Sequence, residues 1–174
     1  MKQFNVWPHR WIAVAMGGAL FAAGMVGIAS VAIGQDQSAA TPKDVIFARK
    51  ILMDSIGHNM DELEANANGS KVDLAEGKDH ADIVSVMLMT FPHLFPPNTN
   101  EWKPNVARDP GADTFAAPEV WTNYADFYKR ASAASKIAYN ASRAEKEDDF
   151  KRSVAELRVA CDSCHAIYYK TPTP

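Results

Sequence analysis

The chain has 174 residues, of which 18 are Lys or Arg and 21 are Asp or Glu, giving a formal net charge of −3. Residues 1–34 hold two of the basic residues and no acidic one, so the rest carries 18 − 2 = 16 basic against 21 acidic side chains. The resulting charge of −5 argues against nucleic acid as a partner. The length beyond residue 34 suffices for one compact domain.

The N-terminal segment predicts a single membrane-spanning helix. An uncharged run extends from Trp11 to Ile33, which is 23 residues. As a helix it spans about 35 Å, enough to cross a hydrocarbon core of about 30 Å. Lys2 and Arg10 precede the run, so the positive-inside tendency places the N-terminus in the cytoplasm and the rest of the chain outside it.

Small residues at positions 30–32 and 38–40 leave cleavage of a signal peptide as the alternative to a retained anchor. With the anchor retained, the predicted domains are a transmembrane anchor over residues 1–34, a linker over 35–41 and a folded domain over 42–174.

Apolar residues that recur three and four positions apart predict four helices in that domain. In chain order they cover residues 42–66, 73–90, 118–142 and 146–170. The first begins at Thr41-Pro42, an N-cap followed by proline at the first helical position. Six prolines from Pro92 to Pro118 exclude a continuous helix there and predict a long crossover. We expect an all-α domain, an antiparallel up-down-up-down four-helix bundle.

The last predicted helix contains Cys161-Asp162-Ser163-Cys164-His165, the attachment signature of c-type haem. Residues three and four apart share a helix face, so both sulfurs can bond a haem while His165 faces its iron as the proximal ligand. A zinc site wants four ligands, and the chain has no second cysteine pair. A redox dithiol of the thioredoxin type lies beside a βαβ pattern, whereas the sequence around these cysteines predicts a helix. A disulfide between cysteines with two residues between them would be strained. We therefore expect one covalent haem c, enclosed by the bundle.

Four segments resemble the class II cytochromes c, the cytochrome c′ family, and more closely its low-spin branch with methionine and histidine on the iron. They are the attachment site near the C-terminus, residues 49–60, Leu94-Phe95-Pro96 in the crossover, and residues 117–121, which open the third helix. The resemblance covers residues 42–170 and implies a four-helix bundle around a single haem. The membrane anchor departs from the family pattern.

The resemblance leaves the sixth iron ligand open, because high-spin members have a five-coordinate iron and low-spin members supply a methionine from the first helix. That helix contains Met53 and Met60. In an antiparallel arrangement His165 should lie level with the early or middle part of this helix, and Met60 should be displaced by about 10 Å. We predict Met53 as the distal ligand. The alternatives are a methionine that only fills the core beside a five-coordinate iron, and His58, which we expect on a solvated face.

Arg49 lies one turn before Met53, where its guanidinium can pair with a haem propionate. The family places a basic residue similarly. A solvated arginine is the alternative.

These residues together predict an electron carrier and not an enzyme. We expect a membrane-anchored, mono-haem cytochrome, with His165 and Met53 on the iron, that exchanges single electrons with a respiratory or photosynthetic membrane complex or with other cytochromes. Residues 11–33 would lie in the lipid bilayer of a bacterial cytoplasmic membrane, with the haem domain in the periplasm; after cleavage it would be soluble there. The alternative function is a five-coordinate, gas-binding haem protein for NO or CO.

Overall fold

A computed structural model describes residues 40–105, 109 and 113–171. Its helices are α1 (Pro42–Asn68), α2 (Leu74–Thr90), the single-turn α3 (Glu119–Thr122), α4 (Tyr124–Ser142) and α5 (Glu147–Tyr168). Two short 3₁₀ turns, Phe91–Leu94 and Pro97–Thr99, open the crossover. The predicted all-α fold is confirmed, with one difference: the third predicted helix divides at Asn123 into α3 and α4. Within the described ranges the only β-type pairing is an isolated bridge between Ala116 and Tyr169.

Side-chain caps fix where α1 and α2 begin. The Thr41 hydroxyl accepts a hydrogen bond from the Asp44 backbone N–H at 3.3 Å, and the Asp44 carboxylate accepts one from the Thr41 N–H at 2.9 Å. This reciprocal pair is a capping box. Asp73 caps α2 by accepting from the N–H groups of Ala75 and Glu76. The short link between the two helices makes them antiparallel neighbours.

Hydrogen bonds between helices show that the four long helices run up-down-up-down. Along each neighbouring pair, residue numbers rise on one helix as they fall on the other. The bonded pairs are Asn59 with His80 and Asn66 with Asp73 for α1 and α2, and Ser85 with Ser135 and Asp82 with Arg143 for α2 and α4. For α4 and α5, a bond between Asp126 and Tyr168 joins the start of α4 to the end of α5, and a short link joins the other two ends. The antiparallel bundle predicted from the sequence is therefore what the chain forms.

Two groups of buried side chains fill the bundle. The main core joins α1, α2, α4 and α5 and includes Ile56, Leu63, Val84, Leu88, Ala134, Ala138, Phe150 and Leu157. The aromatic cluster lies toward the crossover and consists of Phe91, Phe95, Val120, Phe127 and Tyr168. Leu52 and Met53 pack against both groups, so this part of α1 lies where the main core and the aromatic cluster meet.

Gly77 allows α5 to approach α2 closely. A Cβ at this position would overlap the ring of Phe150, which is fully buried. Glycine weakens a helix interior. The close approach of the Phe150 ring explains why glycine nevertheless occupies position 77.

We expect Gly77→Ala to destabilise the purified protein by about 1 to 3 kcal/mol, because the new methyl group overpacks the Phe150 ring. Denaturant unfolding followed by far-UV circular dichroism measures the change. Phe150→Leu removes the ring, so the double variant should be more stable than the sum of the two single changes predicts. Strict additivity of the two changes would contradict the contact.

The predicted anchor (1–34), with its bilayer segment 11–33, lies outside the described residues. In the part of the chain that the structure does describe, no helix combines the length and apolar character needed to cross a membrane. The anchor remains a sequence-based prediction.

Candidate functional site

A cavity of about 290 Å³ lies among α1, α4, α5 and the crossover. All five residues that the sequence singles out line it: Arg49, Met53, Cys161, Cys164 and His165. Its other lining is largely apolar and includes Ile56, Met60, Leu88, Phe91, Phe95, Phe127, Ala131 and Ala134. The fold thus brings residues from the first and last helices of the bundle to one apolar space.

The two cysteines lie on the cavity side of α5 as free, half-buried thiols. Burial raises the pKa of Cys161, and it raises the pKa of Cys164 to about 11. Both groups are therefore neutral thiols at pH 7. Because thiol–disulfide exchange needs a thiolate with a low pKa, this environment disfavours the redox dithiol. Nor do the described residues bring three His, Cys, Asp or Glu side chains together as a metal site would.

His165 lies in the last turn of α5, directly after Cys164. Partial burial lowers the pKa of its imidazole, so the ring is neutral at pH 7, which is the form that binds metals. Its ring centroid lies 5.6 Å from that of Tyr169. Two backbone hydrogen bonds of 2.9 Å, from Ala117 N to Tyr168 O and from Lys170 N to Phe115 O, tie this end of α5 to the crossover.

An ion pair between α1 and α5 sets their register beside the cavity. Arg158 of α5 donates to Glu64 of α1 from Nε to Oε1 at 2.6 Å and from Nη2 to Oε2 at 2.7 Å. From this pair, seven residues along each antiparallel helix lead to His165 (158 + 7) and to Gly57 (64 − 7). Arg158 Nη2 also lies 3.8 Å from Asp61 Oδ1, from which the same count leads to Asp54 (61 − 7). The proximal-ligand position therefore lies level with the stretch of α1 from Asp54 to Gly57.

Met53 directly precedes this stretch, and Met60 lies three residues beyond it. Their burial also differs: Met60 is 2% exposed within the main core, whereas Met53 is half-buried between the main core and the aromatic cluster. Met53 has more freedom to turn toward the cavity. Its role as iron ligand stays a prediction.

The other histidines of the described residues, His58, His80 and His93, do not line the cavity. His58 is exposed on α1, as expected. His80 hydrogen-bonds Asn59 at 2.8 Å, and the ring of His93 packs against that of Tyr128. No imidazole of the described chain therefore faces His165 across the cavity.

Arg49 is buried, with 3% of its surface exposed, which excludes the solvated alternative. Its Nη1 donates to Thr99 Oγ1 at 2.9 Å, and its Nη2 donates to Thr99 O at 3.1 Å and Thr114 Oγ1 at 2.7 Å. The guanidinium carbon lies 4.7 Å from the ring centroid of Phe95 and 5.5 Å from that of Trp121. Arg49 thereby joins α1 to both ends of the crossover.

The hydrogen-bond acceptors that the described residues provide to Arg49 are all neutral. Burial lowers the pKa of Arg49 to about 10, against the opposing effect of Glu101, so the side chain is still a cation at pH 7. A buried cation without a bonded carboxylate is costly. Because Arg49 also lines the cavity, a carboxylate bound there, such as a haem propionate, would compensate its charge.

Several polar residues of the cavity lining were not predicted, and three of them, Arg130, Arg158 and Tyr168, bond carboxylates. Arg130 Nε and the Tyr168 hydroxyl both donate to Oδ2 of Asp126, at 2.6 and 2.7 Å, and Arg158 forms the pair with Glu64 described above. Arg158 and Tyr168 lie one turn before and one turn after the cysteines of α5, and this helical spacing is the signal that would have found them. Arg130 has no comparable signal, because it lies on a separate helix.

The residues present fit a covalently attached haem. Two neutral thiols are spaced to form thioethers, and a neutral imidazole follows them. Among the described residues a buried cation has no hydrogen-bonded carboxylate, and most of the remaining wall is apolar.

A family model for cytochrome c′ matches residues 44–169 of the chain. The chain belongs to the cytochrome c′ family. Members of this family carry a single covalently attached c-type haem, so the expected cofactor is confirmed. No curated protein sequence matches the chain.

Solved structures of cytochromes c′ share the fold. Cytochrome c′ from Thermochromatium tepidum is 22% identical, with a TM-score of 0.65 over 76% of this chain and 98% of its own. The protein from Rubrivivax gelatinosus is 25% identical, with a TM-score of 0.63 over 74% and 97%. A nitric oxide complex of a mutant cytochrome c′ from Alcaligenes xylosoxidans is 18% identical, with a TM-score of 0.64 over 76% and 98%. The chain therefore contains a complete cytochrome c′ bundle.

We expect haem to stay on the denatured wild-type chain in acidified organic solvent, and mass spectrometry to show its added mass. Cys161→Ala and Cys164→Ala should each retain one thioether bond, since each sulfur forms one bond. The double variant should release all pigment. Complete release from the wild type would contradict covalent attachment.

Arg49→Gln should lower the free energy of unfolding by about 2 to 4 kcal/mol, because it deletes three hydrogen bonds from a charged donor in a buried setting. Denaturant unfolding of the haem-loaded protein measures the loss. Lys50→Gln is the matched control: Lys50 pairs with Asp113 at 3.0 Å in a more exposed position, so we expect a loss of about 1 kcal/mol or less. Equal losses in the two variants would show that burial of Arg49 contributes nothing special.

Proposed function

We propose that this cytochrome c′ binds a diatomic gas such as NO or CO on the haem face opposite His165. The observation that carries this proposal is the composition of the α1 wall, by which we mean the part of the cavity lining that α1 supplies. That wall contains Met53, Ile56, Gly57 and Met60 besides the charged residues Arg49, Lys50 and Asp54, and no imidazole of the described residues faces His165. The apolar part of the wall suits a neutral diatomic ligand.

The comparisons favour gas binding over membrane-anchored electron transfer. The chain matches the cytochrome c′ family over most of its bundle. One of the solved cytochromes c′ that shares its fold is a nitric oxide complex. When bound, the haem supplies one iron that changes between two oxidation states and takes axial ligands. The chain's residues would hold it through Cys161, Cys164 and His165, with Arg49 balancing a propionate.

A second function, electron transfer with Met53 as the distal ligand, is favoured by one observation. Met53 lines the cavity and packs against the main core and the aromatic cluster, the groups against which Cys161 and Cys164 also pack. Its thioether is thus carried by the part of α1 that faces the attachment site. A thioether on the iron would fill the position that a gas needs and would leave a carrier of single electrons. A membrane redox complex or another cytochrome is the partner class for that function.

We also propose that the bundle works in the periplasm, with residues 1–34 acting in export. Retention of these residues as an anchor belongs to the electron-transfer function, because tethering would keep a carrier near membrane oxidoreductases. Gas binding needs no anchor.

Absorption spectra and carbon monoxide binding of the wild type, Met53→Leu and Met60→Leu distinguish the two functions. If the iron is open, the reduced wild type binds carbon monoxide rapidly, and neither substitution changes its ferric spectrum. If Met53 is the ligand, the wild type shows a methionine-to-iron charge-transfer band that Met53→Leu abolishes and Met60→Leu retains.

We expect rapid carbon monoxide binding by the reduced wild type. A methionine charge-transfer band together with slow binding that Met53→Leu accelerates would contradict gas binding as the primary function. Met60→Leu is the matched control, because it makes the same chemical change three residues on the other side of Gly57.

A further inference from the structure

Gly57 has no packing reason to be glycine. It lies within α1, and glycine weakens a helix interior. A Cβ built on Gly57 meets no atom within 4 Å, whereas one built on Gly77 overlaps Phe150. The contacts among the described residues therefore explain Gly77 and leave the space beside Gly57 unexplained.

This space belongs to the cavity and also opens to solvent. Gly57 lines the cavity and is itself exposed. His165 lines the same cavity from α5, and the contacts of Arg158 with Glu64 and Asp61 place it level with the stretch of α1 from Asp54 to Gly57. The cavity therefore opens to solvent beside Gly57, at the end of that stretch.

We propose that Gly57 keeps open the space through which a diatomic ligand reaches the iron on the face opposite His165. The inference rests on the proposed gas-binding function and names the residue of this chain that controls access. A side chain at position 57 would project into the open space that the Cβ construction shows. Even a few methylene groups there would crowd a ligand of two atoms.

The test is carbon monoxide binding to the reduced, haem-loaded full chain with Gly57→Ala and Gly57→Leu. Both substitutions improve helix propensity over glycine, so comparing leucine with alanine isolates the effect of bulk. We expect Gly57→Leu to slow association at least about tenfold relative to Gly57→Ala, the scale on which added methylene groups act in a tight pocket.

Ala48→Leu is the matched control. Ala48 is an exposed residue of α1 that does not line the cavity. The Ala48→Leu variant should bind carbon monoxide at the wild-type rate. That result would show that a leucine on the surface of α1 does not by itself slow the binding.

The same series in the Met53→Leu background separates this inference from the proposed function. If the wild type binds carbon monoxide poorly and Met53→Leu binds it well, gas binding as the primary function fails, and the role of Gly57 is judged in the second background. Equal rates of carbon monoxide association for Gly57→Leu and Gly57→Ala in both backgrounds would overturn the proposed role of Gly57. Loss of haem from Gly57→Leu, or an altered spectrum of its unliganded reduced form, would also overturn that role, because the space would then hold the macrocycle itself.

Discussion

The burial of one guanidinium holds the haem-binding end of this bundle in place. Arg49 reaches from α1 to Thr99 and Thr114, which lie at either end of the central crossover, and it packs on two aromatic rings. The crossover in turn hydrogen-bonds the last turn of α5, where the attachment site lies. A charge buried among neutral acceptors is costly without an anion. Pairing with a haem propionate would compensate this charge, which would couple the burial of Arg49 to cofactor binding.

Around that cation the cavity separates charge from apolar surface. Arg130 and Arg158 line it, but each is paired with a carboxylate, Asp126 and Glu64 respectively. The acidic partners compensate the charges of these two guanidinium groups, and methyl, thioether and aromatic groups supply the apolar part of the lining. Arg49 is the cation without such a partner among the described residues. This arrangement suits a macrocycle with apolar faces and a charged edge.

The sequence predicts what is local and fails where the outcome depends on distant residues. The helices follow from periodicity and the start of α1 from Thr41, and the attachment signature lies within five consecutive residues. Burial of Arg49 depends on acceptors 50 and 65 residues away, so the sequence alone left a solvated arginine open. The register of α1 against α5 also depends on a pairing across 94 residues. For that reason helix positions counted from the ends do not by themselves fix the level of His165 relative to the two methionines.

The α1 wall decides between the two functions, because a thioether and a gas compete for one coordination position. Methionine has three rotatable bonds, so Met53 can turn between the core and the cavity without moving the helix. Its half-burial between the main core and the aromatic cluster means that leaving its packing costs contacts, which the iron–sulfur bond must exceed. If the packing of Met53 is the more favourable, the coordination position stays free and the space beside Gly57 gives a ligand access to it. If the iron–sulfur bond is the more favourable, the same fold becomes an electron carrier. A balance of this kind needs only a few kcal/mol to reverse, so one bundle can serve either chemistry with no change in its helices.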